Sequence, residues 1–180
     1  MGPVLAIDIG GTKVAAGVVS EAGELVRRAS APTPPEDLFG RLLELVAEAR
    51  TGEEQLCGVG CGGPMIAGGQ EVSPLNISQW RGFPLRRRLA DTLGIPVYVD
   101  NDAKALALGE GWVGAAAGAE DFIAMVVSTG VGGGIVSGGR LLDGAAGNAG
   151  HIGHLIVEPE GRACACGARG CLEAEASGTA

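Results

Sequence analysis

No apolar run in the 180 residues approaches the roughly 20 that a membrane helix requires, so a helical membrane span is excluded. The opening stretch, MGPVLAIDIGG, lacks the basic n-region and the cleavage pattern of a secretory signal, and a cytoplasmic setting is expected. Positive charge is also short. Thirteen Lys plus Arg face twenty-one Asp plus Glu, a net charge of −8, the wrong sign for a broad basic face that grips nucleic acid. Aromatic residues make up only 3%. A G-x-x-x-x-G-K-[ST] motif is missing, so a P-loop nucleotidase is not supported. Disulfides are disfavoured as well, because five cysteines is an odd number and no secretory leader accompanies them; metal binding or burial remains.

What the chain has in excess is glycine, 33 of 180 residues, against a usual share of roughly 7%. Without a collagen period, these glycines point to tight turns and to places where the main chain approaches a ligand closely. Three short strands, VLAIDIG, KVAAGVV and ELVRRAS, precede an amphipathic helix from about Pro35 to Arg50, with Leu38, Leu42, Leu45, Val46 and Ala49 on its apolar face. QLCGVGC reads as a buried strand, LRRRLADTLG as a short helix and PVYVDND as a strand ending in polar residues. A helical pattern then runs from Asp102 to about Ala117. Alternating strands and helices favour an α/β fold. The second half restarts as the first did, with FIAMVVS entering a glycine-rich turn, TGVGGG, and a further strand, IVSGG. A junction is expected near GAAAGAED, giving domains 1–114 and 115–180, the second short for an independent core.

Four segments carry candidate chemistry. Asp8, Gly10, Gly11, Thr12 and Lys13 join a strand to a turn that offers amides, a hydroxyl and a cation to phosphate, with a carboxylate for Mg²⁺; the same residues also suit a hairpin with a structural aspartate. Thr129, Gly130, Gly132 and Gly133 belong to a second candidate phosphate turn. Gly58, Gly60 and Gly63 satisfy G-x-G-x-x-G, but Pro64 follows at once, so the match reads as accidental. His154, Cys164, Cys166 and Cys171 have the spacing of a closed structural zinc site, whereas Cys57 and Cys61 read as core residues. Asn101 and Asp102 end a strand where α/β sheets place ligand-binding groups, and Asp102 reads either as a general base or as a helix N-cap. Arg81, Arg86, Arg87 and Arg88 read as a solvated basic face, Trp80 and Trp112 as packing residues.

DIGGTK, PLNISQW, VDNDA, STGVGGG, GHIGH and CACGARGCLE occur in the order seen in the ROK family (repressor, open reading frame, kinase), which the chain resembles from Val4 to its last residue. The resemblance implies the actin-like ATPase (ribonuclease H-like) fold, two α/β domains around a cleft, with the second domain incomplete here. It implies ATP-dependent phosphorylation of a hexose or N-acetylhexosamine, Asp102 being the general base, Mg²⁺ near Asp8 and assistance from Lys13. Asn76, Asn101, Asp102, His154 and Glu173 match sugar-contacting positions, and Gly62 and Gly63 would let the main chain approach the ring. His154 would also hold structural Zn²⁺ with Cys164, Cys166 and Cys171. His151 stands where the family's kinases usually carry a sugar-binding Glu, so a preference other than glucose is expected. The resemblance further implies a homodimer. The alternatives are a non-catalytic sugar-binding module and a sugar-responsive regulator without its DNA-binding segment; DIGGTK begins at Asp8, which leaves no room ahead of it for that segment.

Overall fold

Apolar runs pair first. In the computed structural model, which describes residues 2–180, β1 (Val4–Ile9) buries Leu5, Ile7 and Ile9, and β2 (Lys13–Val19) buries Val14, Ala16 and Val18. These two strands are antiparallel, and β2 pairs antiparallel with the largely exposed β3 (Leu25–Pro32). On its other side β1 pairs in parallel with β4 (Cys57–Cys61), and β4 in parallel with β5 (Val97–Asn101), so the sheet order is β3-β2-β1-β4-β5. Parallel neighbours need crossovers. Two helices lie in those connections, α1 (Leu38–Ala49) and α2 (Leu85–Leu93).

α1 starts at Leu38, three residues after the expected Pro35, because Asp37 takes a left-handed conformation and its Oδ1 accepts from the Gly40 N–H at 3.1 Å. All five residues assigned to its apolar face are buried, and Phe39 joins them. α2 stops at Gly94, whose φ of 68° suits glycine at a helix end. Cys57, Cys61 and Trp80 are core residues, as expected. Trp112 is not: it is 53% exposed at the end of its helix. The basic cluster lies at the surface as expected, with Arg81, Arg87 and Arg88 exposed and Arg86 half-buried, and three of the four also have partners. Arg81 Nη1 donates to the Pro74, Ile77 and Trp80 carbonyls, Arg86 donates to those of Gly68 and Val97, and the Arg88 guanidinium lies 4.1 Å from the centre of the Phe39 ring. Local sequence shows the charges but not the Gly68 and Val97 carbonyls or the Phe39 ring that Arg86 and Arg88 reach.

The loop from α1 to β4 carries Glu54, which is 4% exposed. Its carboxylate accepts from Thr51 N at 2.6 Å, Thr51 Oγ1 at 2.8 Å, Gly52 N at 3.1 Å and Arg50 Nε at 3.3 Å. Burial by itself pushes the pKa up, but these donors outweigh it and bring it down to about 2. The folded value lies below the unfolded one, so this group's stabilisation is complete above the ordinary carboxylate range and is lost as pH falls from about 4.5 toward 2. Glu54→Gln is expected to lower stability by about 1–3 kcal/mol at neutral pH. It should also flatten the acid dependence, as urea unfolding at pH 7, 4.5 and 3 would show.

Residues up to Asp102 form one unit and Ala103–Ala180 a second, whereas the sequence placed the junction at 114/115. The difference is one helix, α3 (Asp102–Val113), which packs on the second unit's sheet. That sheet contains β6 (Phe122–Val127), β7 (Val131–Ser137) and β8 (Arg140–Leu141), all antiparallel in the order β6-β7-β8. A Cβ on Gly134 of β7 would stand 2.5 Å from Ala107 Cβ and 2.6 Å from Ala103 O, so α3 lies directly against the bare strand. β1–β2 and β6–β7 repeat one design, a six-residue and a seven-residue strand, joined through residues 10–12 and 128–130. Among the described residues the outer edge of β6 has no strand beside it, and Ile123, Met125 and Val127 are 61%, 55% and 55% exposed. The chain ends in α4 (Leu172–Ala176). No helix is long and apolar enough to cross a membrane.

Candidate functional site

In the first unit the candidate residues gather at the carboxyl ends of the three parallel strands. Asp8, Gly60 and Asp100 lie in register across β1, β4 and β5, and one residue further on so do Ile9, Cys61 and Asn101. The chain then leaves the sheet at one edge in three places: residues 10–12, residues 62–64 and Asp102. Such an edge is where open α/β sheets bind ligands.

Gly10 N–H donates to Lys13 O at 2.9 Å, and Thr33 secures the turn by donating from Oγ1 to Gly10 O at 2.7 Å and from N to Thr12 O at 3.0 Å. Among the described residues, the Gly11 and Thr12 amides have no acceptor. Gly11 is bare because Asn76 lies against it, at 2.6 Å from where a Cβ would be. Gly62 is different. A Cβ there would meet only Pro74, at an ordinary 3.7 Å, so the fold itself does not demand glycine.

Asp102 is the first residue of α3, leaving Asn101 at the position just ahead of the helix. Its charge reaches Asp8. The Asp8 carboxyl is held above its ordinary range, first by partial desolvation and next by Asp102, while Lys13 and Arg28 pull the other way. Cys61 has its thiol pushed up by burial and then by the same two charges.

In the second unit the phosphate-type turn is shorter than the sequence implies. Only Thr129 and Gly130 of the four candidates lie in it; Gly132 and Gly133 belong to β7, paired with Val126 and Met125. Their bareness is a packing requirement, since a Cβ would come to 3.0 Å from Ala103 Cβ at the first and 2.5 Å from Ile152 Cδ1 at the second. Glu173 of α4 accepts the Val131 N–H at 2.9 Å and abuts Gly130. Thr179 Oγ1 donates to Thr129 O at 2.9 Å.

His151 immediately precedes the 3-10 turn Ile152–His154, and the two imidazoles stand edge to face with centres 6.4 Å apart. His154 Nδ1 and the sulfurs of Cys164, Cys166 and Cys171 all lie within 4.8 Å of one another. Two of the separations, His154 Nδ1 to Cys164 Sγ and Cys166 Sγ to Cys171 Sγ, are 3.7 Å. A tetrahedral zinc with sulfur bonds of about 2.3 Å sets its thiolates about 3.8 Å apart, so the donor types suit that ion and these two separations match it. The Ala168 amide, followed by Cys164, draws the Cys166 thiol below its ordinary range. Gly167 and Gly170, with φ of 94° and 69°, turn the loop back so that Cys171 meets the others.

One residue of this unit escaped the sequence reading. Lys104 is 1% exposed, and its Nζ lies 2.6 Å from Asp143 Oδ1 and 2.8 Å from Gly147 O. The available signal was a lone cation between Ala103 and Ala107, both buried on α3.

Comparison with known proteins agrees along the whole chain. It is 40% identical over 184 residues to a glucokinase of Thermotoga maritima, covering 98% of this chain and 58% of that protein. An N-acetylmannosamine kinase of Escherichia fergusonii is 41% identical over 182 residues, covering 97% of this chain and 61% of the relative. The crystal structure of a ROK family glucokinase from Streptomyces griseus with glucose and AMPPNP superimposes with a TM-score of 0.91 at 40% identity, covering 98% of this chain and 58% of that one. The chain thus spans about three-fifths of the length of these relatives, and its fold is part of the actin-like ATPase fold of the ROK sugar kinases. With residues 4–180 matching the family's own pattern, the chain belongs to the ROK family.

Proposed function

We propose that this chain carries sugar-binding and phosphoryl-transfer residues of an ATP-dependent sugar kinase acting on a hexose or N-acetylhexosamine. The observation that carries the reading is the convergence of the 10–12 turn, the 62–64 turn and Asp102 at one sheet edge. Relatives named glucokinase and N-acetylmannosamine kinase, and a similar structure holding glucose and AMPPNP, an ATP analogue, supply the substrate class.

In this reading Asp102 accepts the proton of the sugar hydroxyl as that oxygen attacks the terminal phosphorus of ATP. Asn76 and Asn101 hydrogen-bond the other hydroxyls, and Gly62, bare without a packing reason, lets the main chain approach the ring. The Gly11 and Thr12 amides, with Lys13 beside them, receive phosphoryl oxygens. Thr129 and Gly130 serve as the second phosphate turn. Asp8 suits a divalent cation, because a positive charge would relieve the repulsion from Asp102. Mg²⁺ there would neutralise phosphate charge.

His151, His154 and Glu173 contact the sugar from the second unit. Zn²⁺ held by His154, Cys164, Cys166 and Cys171 would fix the His154 ring through Nδ1 and leave Nε2 to the substrate, a structural role with no part in the chemistry. His151 presents an imidazole where a carboxylate would offer two anionic acceptors, which favours a sugar other than glucose. The chain's acidity speaks against a nucleic-acid partner. A cytoplasmic location and a homodimer complete the reading.

The test is ADP release from ATP and Mg²⁺ with glucose, mannose, fructose, allose, N-acetylglucosamine and N-acetylmannosamine in parallel. Release that depends on one or two of these sugars is expected. No release at concentrations where sugar binding is demonstrated by calorimetry would reduce the chain to a binding module.

A further inference from the structure

A buried ammonium is costly unless it is fully paired, yet α3 buries one. Lys104 has almost no solvent exposure, and its Nζ is 2.6 Å from Asp143 Oδ1 and 2.8 Å from Gly147 O. The pair is lopsided: the lysine side chain is 1% exposed and that of Asp143 65%. Asp143 can move into water at little cost, whereas Lys104 cannot, so opening the contact leaves the buried charge less well compensated.

Asp143 and Gly147 belong to the loop of residues 143–150. That loop folds on itself, with Ala149 N donating to Asp143 O at 2.9 Å and Gly147 N to Gly144 O at 3.3 Å. It leads directly into His151, and Ile152 N donates back to Gly150 O at 2.7 Å. Gly150 lies so close to the Gly133 carbonyl on β7 that a side chain there would collide with it. One end of the loop is thus seated on the sheet by a glycine, and its middle is tied to α3 by a charge.

We infer that Lys104 is a positioning residue: through Asp143 and Gly147 it holds loop 143–150 against α3 and so sets where His151 presents its ring to the sugar. The inference rests on the sugar-kinase reading for the task of His151, while the clamp itself stands on the geometry alone. It assigns to α3 a second duty, independent of Asp102 at its first residue.

Lys104→Met is the informative variant, because it keeps the volume and removes the buried charge. A merely structural lysine and a positioning lysine then separate. In the full chain the thermal midpoint is expected to stay level or rise, as often follows when a buried ion pair is replaced by packed apolar groups. Exchange of the Gly147 and Ala149 amides, followed by NMR, should accelerate about tenfold, and equilibrium affinity for the preferred sugar should fall by a similar factor with ATP affinity unchanged. Asp143→Asn, which leaves the Gly147 contact, should give intermediate values of both.

Unchanged amide exchange in Lys104→Met would overturn the clamp. Faster exchange with unaltered sugar affinity would overturn the positioning role. Wild-type chain that binds none of the panel sugars would remove the sugar reading and the task assigned to His151 with it, and the exchange data would still report on the clamp.

Discussion

Asp102→Asn is expected to reduce sugar-dependent ADP formation by about a thousandfold while leaving the sugar affinity within about twofold of the wild-type value. The amide has the carboxylate's shape and still offers one oxygen to a sugar hydroxyl, so binding survives. It cannot take up a proton, so the attacking oxygen keeps its own until water removes it. A second consequence separates this account from simple damage to the site. The Asp102 charge is the second largest cause, after desolvation, of the raised Asp8 pKa. Removing it should therefore move Asp8 down toward the ordinary carboxylate range, which a carboxyl-carbon NMR titration can follow. Normal turnover in the variant would end the assignment of Asp102 as base. An Asp8 titration identical in the two proteins would show that the carboxylates are not coupled.

The largest structural effect is expected from Cys166→Ser. Structural zinc contributes an apparent binding free energy of about 10–16 kcal/mol in isolated finger peptides, and a serine hydroxyl is too weakly acidic to replace a thiolate. The variant should lose zinc on dialysis, as read by plasma mass spectrometry. Limited proteolysis should then cut between residues 155 and 171, because that stretch has little to hold it beyond its own turns and the isolated bridges Ile156–Cys171 and Ala163–Arg169. Cys57→Ser serves as the control, since Cys57 lies in the core of the first unit and its loss should leave the zinc content intact. Full zinc in Cys166→Ser would discredit the four-residue set.

How far the sequence could be read depended on whether the cause was local. Alternation and turn residues placed every strand of the first sheet. Four ligand atoms that meet within 4.8 Å were legible because three lie within eight residues and the fourth, His154, ends the preceding turn. The TGVGGG segment misled because glycine has two meanings. At Gly130 it sits in a turn, and at Gly132 to Gly134 it clears room for α3 and Ile152, which only the assembled sheet reveals. The same holds for Arg86 and Lys104. Each is a cation whose partners are backbone carbonyls or a carboxylate that sequence proximity to the charge does not predict, and burial of Lys104 reverses the usual expectation that such a residue is solvated.

The outer edge of β6 has a practical consequence. Among the described residues no strand pairs with that edge, and Ile123, Met125 and Val127 are exposed along it, a pattern that in sheets generally favours pairing with another extended segment. A charged residue or a proline within a strand is the general means by which sheets close off such an edge, and Phe122–Val127 carries neither.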